Sequence, residues 1–174
     1  MKIKNLCAIF ILIMMTVFCV DLYAQEQGKS DQLSFGASCI IALSDETVSV
    51  GPGLQVSWVS PCLFTDFLGL GIHGGLIMPI GQEIAYGLTL IAGPCMTVYD
   101  NDTFRIPITL GINANYVIIQ LPEFWVWNVG IGAVSDFVWQ INQKWFTYGR
   151  VQAVFNLGAF EFLITPGLGM GFCF

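Results

Sequence analysis

From residue 30 onward the hydrophobic and polar positions alternate with a period of two. Thr103 to Tyr116 shows it most clearly: Phe104, Ile106, Ile108, Leu110, Ile112, Ala114 and Tyr116 fall on one side. Thr103, Arg105, Pro107, Thr109, Gly111, Asn113 and Asn115 fall on the other. Successive strand side chains point to opposite faces, so this segment predicts a strand with one apolar face and one small or polar face. At helical spacing the polar residues would be spread around the whole cylinder.

The same alternation predicts seven further strands. Their apolar faces carry Leu33 to Leu43, Val48 to Trp58, Leu68 to Leu76, Tyr86 to Ala92, Trp125 to Ala133, Val151 to Phe155 and Phe160 to Phe174. Turn signals fill the seven gaps: Ser44-Asp45-Glu46, Ser60-Pro61, Gly81-Gln82-Glu83, Asp100-Asn101-Asp102, Pro122-Glu123, Asn142-Gln143-Lys144 and Asn156-Leu157-Gly158. Short gaps imply antiparallel neighbours in up-and-down order. Pro52, Pro94, Pro107 and Pro166 fall within strand patterns, where each removes a ladder donor, so bulges or strand ends are expected there.

The size asymmetry of the two faces decides which one lies inside. An eight-stranded barrel is just wide enough for its own side chains to fill. It cannot hold the large face of every strand, so the small and polar face must line the lumen. A contiguous apolar exterior is soluble only against lipid. Closure leaves no unpaired backbone edge, as a lipid-embedded sheet requires. The pattern therefore predicts an all-β fold, an eight-stranded antiparallel up-and-down transmembrane β-barrel. Aromatics gather near the strand ends, with Trp58, Tyr99, Phe104, Trp139, Trp145, Phe172 and Phe174 at one rim. Tyr86, Tyr116, Trp125, Trp127, Phe155 and Phe160 gather at the other, as interfacial girdles would.

Composition sharpens this picture. Mean hydropathy is +0.71 and 55% of residues are apolar, values that suggest transmembrane helices. Yet beyond the N-terminal segment no 18-residue stretch is free of polar breaks, and 19 glycines accompany many β-branched and aromatic residues. The N-terminal segment itself reads as a secretory signal peptide. Lys2 and Lys4 precede an apolar run from Leu6 to Val20, and Ala24 marks a cleavage site. The expected organisation is a signal peptide over 1–24 and a barrel domain over 25–174. The latter carries four basic residues, Lys29, Arg105, Lys144 and Arg150, against eleven acids. That balance excludes a nucleic-acid footprint and a polybasic lipid patch. Cys39, Cys62, Cys95 and Cys173 lack zinc-ligand spacing and read as small apolar fillers, though an oxidising compartment would permit a Cys62–Cys95 bridge. No metal or cofactor is implied.

The chain ends Leu168-Gly169-Met170-Gly171-Phe172-Cys173-Phe174, in strict alternation onto an aromatic. This resembles the C-terminal signature of bacterial outer-membrane proteins. The whole barrel region resembles the small eight-stranded barrels of the OmpA transmembrane domain, OmpX and OmpW type. That resemblance implies a bacterial outer-membrane location with both termini periplasmic. It also implies lipid as a partner, and recognition of Met170, Phe172 and Phe174 by the assembly machinery. The gaps here are shorter than the extracellular loops of those relatives.

Candidate chemistry lies on the inward face: Arg105, Arg150, Glu161, His73 and Gln152. The parity is sensible, because an Arg facing lipid at mid-bilayer costs roughly 2–4 kcal/mol. Across the last hairpin Arg150 and Glu161 are expected at one level as an ion pair, either a structural plug or a gate. Inward glycines in period two, Gly69/Gly71, Gly130/Gly132 and Gly167/Gly169/Gly171, relieve crowding and would leave room for a narrow passage. The expected function is a non-enzymatic barrel, structural or a conduit for small solutes. An adhesive role for Asp45, Glu46, Glu83 and Glu123 is the alternative. A lipid A-modifying enzyme is disfavoured, because the chain has one histidine, His73, and Ser135-Asp136 has none at its depth.

Overall fold

The computed structural model describes residues 30–43, 48–65, 68–78, 85–101, 103–120, 123–157 and 161–174. The expected signal peptide lies outside them. Eight strands follow in order: β1 (Gln32–Leu43), β2 (Val48–Thr65), β3 (Leu68–Ile77), β4 (Ala85–Asp100), β5 (Phe104–Gln120), β6 (Glu123–Gln140), β7 (Trp145–Asn156) and β8 (Glu161–Cys173). Each pairs antiparallel with its neighbours in sequence, and β1 pairs with β8 to close the barrel. Backbone partners followed once around from Leu33 pass Trp58, Ile72, Ala92, Ile112, Ile131, Phe155 and Phe162 and return to β1 at Leu43. That stagger tilts the strands against the barrel axis.

The faces divide as the alternation predicts. Leu54, Leu90, Leu110, Ile112, Val129, Ile131 and Leu168 point outward, with Ile112 and Leu168 exposed by 69% and 70%. At the end where β1 begins and β8 finishes, Tyr99, Phe104 and Trp139 form one aromatic row, with ring centroids 6.0 and 5.2 Å apart. Trp145, Phe172 and Phe174 form another, at 5.8 and 5.5 Å. Tyr116 and Trp127 lie 4.7 Å apart toward the opposite end. Trp58 departs from the expected girdle: it is buried, and its indole Nε1 donates to Asp31 Oδ2 at 3.1 Å.

The prolines do not end strands. The β4–β5 ladder skips the residues around Pro94, the β5–β6 ladder skips Pro107, and the β1–β8 ladder skips Pro166. In an antiparallel sheet a residue's N–H serves one neighbour only, so each proline interrupts one ladder and spares the other. Ser60-Pro61 is likewise not the β2–β3 turn. β2 runs on to Thr65, and its register against β3 shifts between Ser60 and Thr65. Gly69 makes this possible, because a Cβ there would collide with the Ser60 carbonyl and with Pro61. A second shift, between Thr97 and Tyr99 against β5, sends Tyr99 outward and turns Asp100 to the inner side beside its partner Arg105.

The candidate site: a filled polar lumen

The lumen is built from the inward positions of all eight strands. β7 contributes Phe146, Tyr148, Arg150, Gln152, Val154 and Asn156, all buried. Bulky groups here were not expected from the small-inside rule. The reason is local: Phe146, Tyr148 and Arg150 lie opposite Gly171, Gly169 and Gly167 on β8. A Cβ on Gly171 would strike the Phe146 ring, and one on Gly169 or Gly36 would lie 2.7 or 2.6 Å from the Tyr148 hydroxyl. Across the lumen, Ile91 fills the notch at Gly132, whose Cβ would lie 2.7 Å from Ile91 Cδ1. Gly132, Gly167 and Gly171 are thus sockets for Ile91, Gln55 and Phe146, whereas Gly69 and Gly130 let neighbouring backbone approach.

Arg150 sits at the centre, 2% exposed. Asp136, its direct partner on β6, takes a bidentate pair from it, Nε to Oδ1 at 2.6 Å and Nη2 to Oδ2 at 2.8 Å. Two parallel charge-assisted bonds fix both planes. Nη2 also reaches across the barrel to Ser57 Oγ at 2.5 Å and Ser34 Oγ at 3.4 Å. Those two hydroxyls, partners on β2 and β1, lie 2.7 Å apart. The guanidinium also stacks 4.8 Å from the Tyr148 ring centroid. One residue therefore ties β6 and β7 to the β1–β2 hairpin.

The register does not set Arg150 and Glu161 at one level. β7 continues through Asn156, which moves the turn beyond it, so Glu161 is paired with Asn156 while Arg150 faces Gly167. The side chain of Glu161 lies outside those described. Gln152 is buried opposite Thr165. His73 is buried, its Nε2 2.9 Å from Thr109 Oγ1. Nearer the other end, Asn113 and Asn115 donate to Asn156 Oδ1 at 3.1 and 2.8 Å, and Thr89 donates to Asn113 at 3.1 Å. Arg105 lies apart, at the end where β1 begins and β8 finishes. It donates to Gln140 Oε1 at 2.9 Å and lines an open cavity of 380 Å³ with Asp100 and Gln143.

Among the described residues Ser135, Asp136 and His73 are not brought together. Asp136 is committed to Arg150, Ser135 takes the opposite face of the same strand, and His73 bonds Thr109. No disulfide joins Cys39, Cys62, Cys95 and Cys173, so the Cys62–Cys95 bridge is not formed. Among the described residues the midsection is closely filled. Ile91, Cys95, Thr109, Asn113, Asn115, Val134 and Val154 each expose 1% or less, whereas a water-filled passage would leave its walls accessible. The glycine sockets that could have opened a passage are occupied.

An apolar exterior, aromatic rims and a plugged polar interior on eight antiparallel strands define the class of small eight-stranded outer-membrane β-barrels. Solved structures of that class superpose on this chain. The attachment invasion locus protein Ail of Yersinia pestis matches with a TM-score of 0.63 at 11% identity, covering 84% of this chain and 99% of Ail. Neisserial surface protein A matches with a TM-score of 0.68 at 9% identity, covering 83% and 97%. The N-terminal barrel domain of Pseudomonas aeruginosa OprF matches at 0.54 and 14%, covering 81% and 97%. At such identities the likeness is one of fold. No protein-family model matches the chain, and no curated protein matches it in sequence.

Proposed function

We propose that this protein is a non-enzymatic integral barrel of the bacterial outer membrane, with both termini periplasmic and its lumen plugged rather than conducting. The carrying observation is the pair of faces: bulky aliphatic residues outside, and a buried Asp136–Arg150–Ser57 network inside. Lipid is then the solvent of the outer face and the partner along the whole band between the girdles. The last strand, with Met170 and Phe172 outward and Phe174 at its end, is the segment offered to the assembly machinery.

Fractionation with a mobility comparison of unheated and boiled protein tests the membrane assignment. Recovery in the outer membrane with a heat-dependent shift is expected; recovery in the inner membrane with no shift defeats it. Reconstituted vesicles test the plug. Swelling in small sugars should not exceed that of empty vesicles, and solute-dependent swelling would restore the conduit reading.

A second reading is surface attachment, favoured by the fold shared with Ail, which has also been solved with the heparin analogue sucrose octasulfate. Asp45, Glu46, Glu83 and Glu123 would disfavour a polyanion here and favour a cationic or neutral partner. Binding of cells expressing the protein to a cationic surface, lost when these acids are neutralised, would support it.

A further inference from the structure

The cavity at the mouth where β1 begins and β8 finishes is lined, among the described residues, by two opposite charges, Asp100 and Arg105. They are direct cross-strand partners on β4 and β5. Such partners stand about 4.5–5.5 Å apart at Cα, so their heads flank one space. No ion pair joins them; the salt bridge among the described residues is Arg150–Asp136. The register shift between Thr97 and Tyr99 is what brings Asp100 here; without it Asp100 would face outward and Tyr99 inward.

The mouth is held in shape by neutral groups. Asn101 Oδ1 accepts from the backbone N–H of Thr103 and Phe104 at 3.0 and 2.7 Å and locks the turn that follows Asp100. Gln140 accepts from Arg105 Nη2 at 2.9 Å and donates through Nε2 to the Asn142 carbonyl at 2.5 Å. With its amide oxygen toward the guanidinium, Gln32 accepts from Nη1 and Nη2 at 2.9 and 3.2 Å. Amides orient a guanidinium without cancelling its charge, so neutral partners hold the Arg105 head beside the cavity that Asp100 also lines.

We infer that this cavity binds a small zwitterion, its ammonium on Asp100 and its oxyanion on Arg105. A ligand with both charges a few bonds apart satisfies both side chains, whereas a simple anion meets repulsion from Asp100 and a simple cation meets it from Arg105. The cavity volume admits one small molecule of this kind. Two sources share this chemistry, a free α-amino acid and the ethanolamine phosphate headgroup of a lipid.

Ligand-observed NMR on the folded, detergent-solubilised protein tests this, with L-alanine and glycerophosphoethanolamine as zwitterions and acetate and ethylammonium as half-ligands. Saturable binding of at least one zwitterion is expected, with a Kd on the order of 1 mM because the site is open to water and its charges are screened. The half-ligands should bind about tenfold more weakly or worse. A preference for L-alanine identifies a free solute, and one for glycerophosphoethanolamine a headgroup. Asp100→Asn and Arg105→Gln should each weaken zwitterion binding about tenfold, and Arg105→Lys should recover part of it. Unheated mobility verifies folding, and the solvent-exposed Asp100 supplies the decisive variant if Arg105→Gln misfolds. No saturable zwitterion binding, equal binding of acetate, or binding unchanged in Asp100→Asn would overturn the assignment.

Discussion

At the scale of single residues the lumen is a set of sockets and plugs whose partners can be exchanged. Gly132→Ala would push a methyl group against Ile91 and should destabilise the barrel by about 1–3 kcal/mol, as overpacking does. Ile91→Ala removes the Cδ1 and both Cγ atoms that crowd this methyl, so the loss from Gly132→Ala should be smaller in its presence, a coupling readable from urea unfolding of all four proteins in detergent. Additive losses would mean that the two do not share a site. The Asp136–Arg150 pair obeys a different rule. Asp136→Ala leaves a buried guanidinium without its counter-charge and should cost about 3–5 kcal/mol. Asp136→Leu with Arg150→Met, which removes both charges and keeps the volume, should cost much less. A double variant as unstable as Asp136→Ala would show that the serine contacts, not charge pairing, dominate.

At the scale of elements, prolines and bulges decide where the sheet is weak and what it aims at. Pro166 removes a donor from the β1–β8 seam, the one ladder that joins the two ends of the chain. Its side faces outward, where an apolar residue is tolerated. Pro166→Val should therefore restore a seam hydrogen bond and stabilise the barrel by about 1 kcal/mol. The temperature at which the unheated mobility form is lost would rise; an unchanged or lower value would mean that the proline relieves strain at closure. Much at this scale was legible in the sequence. The eight alternating segments became eight strands, and a hairpin centred on Gln143 already sets Asp136 opposite Arg150. Parity puts both inward, so the pair could have been read from that turn. Arg150 and Glu161 are not at one level because the last turn lies beyond Asn156, and each one-residue shift of a turn moves every partner two places along the ladder. The Ser60-Pro61 turn failed because proline is as much at home in a bulge as in a turn, and only the packing of Gly69 tells them apart.

At the scale of the whole molecule, the exterior band sets how the barrel meets its surroundings. Ile112→Arg places a charge in the middle of the apolar face and should cost roughly 2–4 kcal/mol, measured by refolding into lipid vesicles. Trp145→Arg, at the aromatic rim, should cost roughly 0–1 kcal/mol. Equal costs at the two depths would argue that the outer face does not contact acyl chains.

The sequence alone determined the eight strands, their antiparallel order and the inward parity of Arg105 and Arg150, because those follow from a period of two and from turns within a few residues. Tertiary structure alone decided which inward side chains meet. Ser34 and Ser57 reach Arg150, Ile91 fills Gly132, and Asn113 joins Asn156 only because the closed barrel has a particular stagger. That stagger is the sum of every register around the circumference, bulges included. No local window of sequence contains it, so the contents of the lumen appear only once β8 has met β1.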